Sequence, residues 1–117
     1  MRVLLVDDEQ EFVTTLAERL SFRGIEADWA TNAEDALKHA EKTSYDLAVL
    51  DVKMPKTSGF ELKSLLEAKS PEMKYIYLTG HGSLDDFITG SSEAACYLVK
   101  PININDLISK MEEALES

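Results

Sequence analysis

Five short apolar runs punctuate this chain, and a stretch with helical spacing follows each of them. The runs are RVLLV (2–6), IEADWA (25–30), DLAVL (46–50), KYIYLT (74–79) and CYLV (96–99). Each is strand-sized, and the continuous Val/Leu/Ile character of several fits strands buried on both faces. Between them, Phe12, Val13, Leu16 and Leu20 form one helical stripe, and Gly24 stands where a helix would stop. Asp8 is placed to cap that helix, with Glu11 in capping-box position. Thr31 and Glu34 repeat the pattern ahead of a helix through Ala40, and Ser58 and Glu61 ahead of one carrying Phe60, Leu65 and Leu66. Ser83 and Asp86 are candidate caps for a further helix. Asn103 and Asp106 open a last one, with Ile104, Leu107, Ile108, Met111 and Leu115 at helical intervals. Strand and helix in regular alternation predict an α/β domain with a five-stranded parallel sheet, doubly wound, with helices on both faces.

That architecture says where to look for chemistry. In open parallel sheets a site forms beyond the carboxyl ends of the strands, where the strand order reverses. The residues just after the predicted strands are Asp7 and Asp8, then Asp51, while Thr79 ends the fourth strand and Lys100 follows the fifth. Taken singly, Asp51 reads equally as a turn former, a helix cap or a reactive carboxylate. If the first and third strands are neighbours, three carboxylates converge, and like charges that close raise one another's pKa and oppose folding. A hard divalent cation such as Mg²⁺ relieves this, binding carboxylate oxygens together with waters and a phosphate. Three aspartates, a hydroxyl and an ammonium then form a phosphoryl-transfer set, with Asp51 as nucleophile.

Composition narrows the alternatives. The chain has 117 residues, which favours one domain, and 22 acids against 12 bases give a formal charge of -10. Such a surface weighs against direct binding to nucleic acid or to an anionic membrane. No apolar run approaches the roughly 20 residues of a membrane span, and the short apolar run after Arg2 is unlike a signal peptide, so a cytoplasmic location is expected. Cys96 is the single cysteine, which excludes an internal disulfide, and beside Tyr97 it reads as a small core residue.

The segments LLVDDE (4–9), DLAVLDVKMPKTSGFEL (46–62), LTGHG (78–82) and YLVKPI (97–102) resemble, in order, the receiver domain of two-component response regulators, the CheY-like superfamily. The resemblance spans essentially the whole chain, so residues 1–117 are expected to form a single receiver domain. It implies a flavodoxin-like (βα)5 fold with strand order 2-1-3-4-5. It also implies that Asp51 accepts a phosphoryl group from a histidine kinase or a histidine phosphotransfer protein of a phosphorelay. Asp8 and Asp51 would ligate Mg²⁺ or Mn²⁺ directly, Asp7 through water, and Lys53 through its backbone carbonyl. Thr79 and Lys100 would contact the phosphoryl oxygens. Thr79 and Tyr97 would form a switch pair, the ring turning inward on phosphorylation, and Lys100-Pro101 would be a cis peptide. Lys53 and His81, two residues after Asp51 and Thr79, are the positions expected to tune the lifetime of the phosphorylated state.

The segment between Thr79 and Tyr97 departs from the family pattern. It is about one residue short, and Glu93-Ala94 and Cys96 occupy slots where Gly-Ala and an Asp are frequent. A short helix ending near Thr89, with Gly90 as its stop and 91–95 irregular, is the expectation there. Three other functions meet specific objections. A Mg²⁺-dependent aspartyl-phosphate phosphatase would want a second acid at position 53, which is lysine. A flavin or nucleotide module would want a phosphate loop rich in Gly, Ser and Thr after the first strand, where Asp7-Asp8-Glu9 stands. A scaffold that has lost phosphorylation would not need the full set of site residues.

Overall fold

The computed structural model describes residues 1–80 and 97–116. Five strands, β1 (Arg2–Val6), β2 (Glu26–Ala30), β3 (Leu47–Asp51), β4 (Lys74–Thr79) and β5 (Tyr97–Val99), form one parallel sheet in the order β2-β1-β3-β4-β5. The described helices are α1 (Gln10–Ser21), α2 (Ala33–Lys42), α3 (Gly59–Lys69) and α4 (Ile104–Glu116). This is the flavodoxin-like doubly wound arrangement expected.

The sheet separates two cores, because side chains alternate across it. On one face Leu4, Val6, Ala48, Leu50, Tyr75 and Tyr77 meet Ala36 of α2 and Leu62 and Leu66 of α3. On the other, Val3, Leu5, Leu47, Val49, Ile76 and Leu78 meet Val13, Leu16 and Leu20 of α1 and Leu107 and Met111 of α4. Each large aliphatic side chain removed from water contributes about 1.5–3 kcal/mol before entropy is counted. Burial on both faces is why β1, β3 and β4 read as continuous apolar runs. Among the described residues β2 pairs only with β1, at an edge of the sheet, and there Glu26, Asp28 and Trp29 are tolerated.

Local signals place most helix ends. The Ser58 hydroxyl accepts a hydrogen bond from the Glu61 backbone N–H at 3.2 Å, and the Glu61 carboxylate accepts one from the Ser58 N–H, a complete capping box. Asn103 Oδ1 accepts from the Asn105 N–H at 2.8 Å just before α4. Gly24 takes φ +78°, a left-handed value that ends α1 and turns the chain into β2. Three expectations need correction. Glu9, not Asp8, is the N-cap of α1 and makes no side-chain cap bond; the Asp7 carboxylate reaches the Glu9 N–H instead. Asn32, not Thr31, caps α2, accepting from the Asp35 N–H at 2.8 Å, and the helix runs on to Lys42. Leu65 is exposed on α3, and Leu62 fills the core position with Leu66. The first two are one-residue shifts of a helix start, for α2 between neighbours of similar capping ability. The third follows from the helical repeat, since Leu62 and Leu66, four apart, share the face that meets the sheet and Leu65 lies about 100° away from Leu66. The helix expected after Ser83, its stop at Gly90, and Cys96 lie outside the described residues.

Candidate phosphoacceptor and metal site

Strand register assembles the site. Val6 pairs with Leu50, Asp51 with Leu78, and Thr79 with Val99, so the strand ends stop level with one another. Asp7 and Asp51 therefore leave adjacent strands side by side at the point where the strand order reverses. The connections fix this end of the sheet. Asp7 N–H donates to the Ala30 carbonyl at 3.2 Å, Val52 N–H to Leu78 at 2.8 Å, and Lys100 N–H to Thr79 at 2.9 Å.

The polar side chains there are withdrawn from water. Asp7 is 1 % exposed, Asp51 5 % and Thr79 1 %, whereas Asp8 is exposed. Carboxylate oxygens of Asp7, Asp8 and Asp51 all lie within 4.8 Å of one another. Lys100 supplies the counter-charge, with Nζ 2.7 Å from Asp7 Oδ2 and 3.7 Å from Asp51 Oδ1. Asp7 Oδ1 is held by the Glu9 N–H at 2.9 Å.

One ammonium does not balance three carboxylates. Burial, then the charge of Asp7, pushes the Asp51 carboxyl up to about 7, with Asp8 adding to the rise and Lys100 opposing it. Burial also raises Asp7, against the pull of its Lys100 and Glu9 hydrogen bonds. Lys100 is itself raised: burial lowers it, but the hydrogen bond and charge of Asp7 outweigh that. Among the described residues the pocket is short of positive charge and rich in hard oxygen donors. Mg²⁺ holds oxygens at about 2.0–2.1 Å, which places ligand atoms up to about 4.2 Å apart, comparable to the spacing found. Asp7, Asp8 and Asp51 thus fit a divalent cation of that kind.

The remaining predicted residues are distributed as follows. Thr79 ends β4 beside Asp51, and its hydroxyl donates to the Gly80 carbonyl at 3.2 Å. Tyr97 is buried, its ring stacked 5.1 Å from that of Tyr77, with Phe60 tilted against Tyr77 at 4.7 Å. The Lys100-Pro101 bond is cis. Lys53 is exposed in the loop between β3 and α3. His81 lies outside the described residues.

Two contributors escaped the sequence reading. Glu9 Oε1 lies 3.2 Å from Lys100 Nζ, a contact across 91 residues that no local pattern announces. Gly59 begins α3 against the backbone of Asp51, where a Cβ would come within 2.5 Å of the Asp51 oxygen. Its position inside the quoted motif was visible, but the close approach was not.

The chain matches the family model described as response regulator receiver domain over residues 3–112. It is 33% identical over 115 residues to the transcriptional regulatory protein PcoR of Escherichia coli, covering 97% of this chain and 51% of that protein. It is 32% identical over 115 residues to the transcriptional regulatory protein PrrA of Mycobacterium leprae, covering 97% and 49%. The chain thus spans about half the length of these curated relatives. Among solved structures, a response regulator receiver domain protein of Clostridium thermocellum superposes with TM-score 0.87 at 31% identity, covering 98% of this chain and 94% of that one. A CheY-like receiver domain protein of Methanospirillum hungatei does so with TM-score 0.84 at 34% identity, covering 98% and 93%.

Proposed function

Because the chain belongs to the response regulator receiver domains, a family of two-component signal transduction, we propose that it is a phosphorylation-activated switch whose acceptor is Asp51. The observation that carries this reading is a buried carboxylate at a strand end, flanked by two more carboxylates and one ammonium. A carboxylate in that setting is held in place, shielded from bulk water and facing cationic help, as in-line phosphoryl transfer requires.

A Asp51 carboxylate oxygen attacks the phosphorus of a phosphohistidine on a histidine kinase or phosphotransfer protein. The new O–P bond forms as the P–N bond breaks, and the electron pair leaves with the imidazole nitrogen. The product is an acyl phosphate. Asp8 and Asp51, with the Lys53 backbone carbonyl, would hold Mg²⁺ or Mn²⁺ directly, and Asp7 would act through water. When bound, the cation supplies positive charge to the phosphoryl oxygens and to the crowded carboxylates. Lys100 and the Thr79 hydroxyl contact the remaining phosphoryl oxygens.

Thr79 and Tyr97 are assigned the output. Reorientation of the Thr79 hydroxyl from Gly80 to the phosphoryl group favours the inward Tyr97 ring. The ring already lies inward, stacked on Tyr77, while the Thr79 hydroxyl bonds Gly80, so the role assigned to phosphorylation is to hold that pose and not to create it. Phosphorylation shifts a population in this way only as far as the two states differ in contacts. Lys53 and His81 are assigned the tuning of phosphate lifetime. The chemistry is confined to the protein's own phosphorylation and dephosphorylation, in a cytoplasmic setting, and the output passes to a protein partner. Among the described residues no helix is long and apolar enough to cross a membrane.

Incubation with acetyl phosphate and Mg²⁺ tests the reading. Intact-mass spectrometry should show one labile phosphate on the wild type, absent from Asp51→Ala. Equal labelling of both proteins would refute it.

A further inference from the structure

Lys100 is not poised over Asp51. Among the described residues its ammonium makes two contacts of hydrogen-bond length, 2.7 Å to Asp7 Oδ2 and 3.2 Å to Glu9 Oε1, and stands 3.7 Å from Asp51. It also lies 4.8 Å above the centre of the Phe12 ring. Glu9 and Phe12 are three residues apart at the start of α1, a spacing that puts both on one side of the helix. They draw the lysine from the end of β5 toward α1. The arrangement closes on itself. The Glu9 backbone N–H holds Asp7 Oδ1, Lys100 holds Asp7 Oδ2, and the Glu9 carboxylate holds Lys100.

Resting on the assignment of Asp51 as acceptor, we propose that Glu9 is a positioning residue for Lys100. Its carboxylate keeps the ammonium on the Asp7 side of the pocket and must release it before the ammonium closes on a phosphoryl group at Asp51. Lysine suits this role, being a compact charge on a flexible stem with three donors. A phosphoryl group carries more negative charge than the carboxylate it replaces, so it draws the ammonium toward Asp51. The Glu9 contact then belongs to the unmodified state alone, and a contact made in one state alone biases the equilibrium toward that state. The bias is small, because the Glu9 side chain is 66 % exposed and water competes for it. Removing the contact therefore favours the phosphoryl-bound state about two- to fivefold.

The test compares wild type, Glu9→Gln, Lys100→Met and the double variant at saturating Mg²⁺. Beryllofluoride affinity and the rate of labelling by acetyl phosphate are both read. Glu9→Gln should raise both about two- to fivefold in the wild-type background and neither in the Lys100→Met background. Glu9→Asp, one methylene short of the ammonium, should reproduce the gain while keeping the charge, and stands in should Glu9→Gln misfold. Unchanged values in Glu9→Gln, or an equal gain with Lys100 absent, overturn the proposal, the latter because general charge repulsion would then explain it. Wild type that labels on Asp51 in either case leaves the acceptor assignment standing. Wild type that takes up neither phosphate nor beryllofluoride removes that assignment, and this inference with it.

Discussion

A Cβ on Gly59 would lie 2.5 Å from the backbone oxygen of Asp51. The first residue of α3 therefore packs directly onto the main chain of Asp51, and the Gly59 N–H also donates to the Val52 carbonyl at 3.0 Å. Rigid backbone lies on the far side of that contact, so no side chain can swing away to make room. Gly59→Ala is expected to lower stability by about 1–3 kcal/mol through overpacking. It should also slow phosphate uptake by displacing Asp51. Urea denaturation and labelling by acetyl phosphate measure the two effects, and an unchanged midpoint would contradict the packing argument.

Charge crowding at Asp51 has a pH signature. Its carboxyl is raised from 3.8 to about 7 in the folded protein, chiefly by burial and then by Asp7. Between those values the native state binds more protons than the unfolded one, so this group's contribution to stability is full below about pH 4 and is lost as pH rises through about 7. In chelator-treated protein the wild type should be less stable at pH 8 than at pH 5. The difference in stability between Asp51→Asn and wild type should grow across that interval in favour of the variant. Parallel curves for the two proteins would contradict the assignment of this titration to Asp51.

A cation that fits Asp7, Asp8 and Asp51 should stabilise the fold, since it binds the native cluster and not the dispersed chain. At a concentration one hundred times Kd the gain is about 2.7 kcal/mol. Thermal denaturation with and without Mg²⁺ reads it directly. Asp8→Asn, a change at an exposed position, should abolish most of the gain while leaving the chelated protein close to wild type. A gain of full size in Asp8→Asn would remove Asp8 from the ligand set.

Tyr77 and Tyr97 stack at 5.1 Å with their planes 27° apart. Aromatic pairs of this kind contribute about 0.5–1.5 kcal/mol beyond the area they bury. A double-mutant cycle with Tyr77→Leu and Tyr97→Leu should return a coupling of about that size. Additive effects would mean that Tyr77 does nothing to hold the ring inward.

What the sequence determined by itself was local and repetitive. Apolar runs at 2–6, 46–50 and 74–79 could hide only as strands buried on both faces, and the Ser58/Glu61 pair announced its own helix start. Once alternation implied a parallel sheet, topology required Asp7, Asp51, Thr79 and Lys100 to gather at one end of it. That reasoning needs only the rule that strands in such a sheet point the same way. Single-residue choices were less legible. Asn32 over Thr31 and Leu62 over Leu65 depended on which side of a helix met the core, and neighbouring residues had nearly equal local merits. Only tertiary structure decided that Glu9 reaches Lys100 and that Gly59 must lack a side chain. Both depend on how closely separate elements approach, the end of β5 against the start of α1 for one and the start of α3 against the end of β3 for the other, and packing sets these approaches after hydrophobic patterning has chosen the fold.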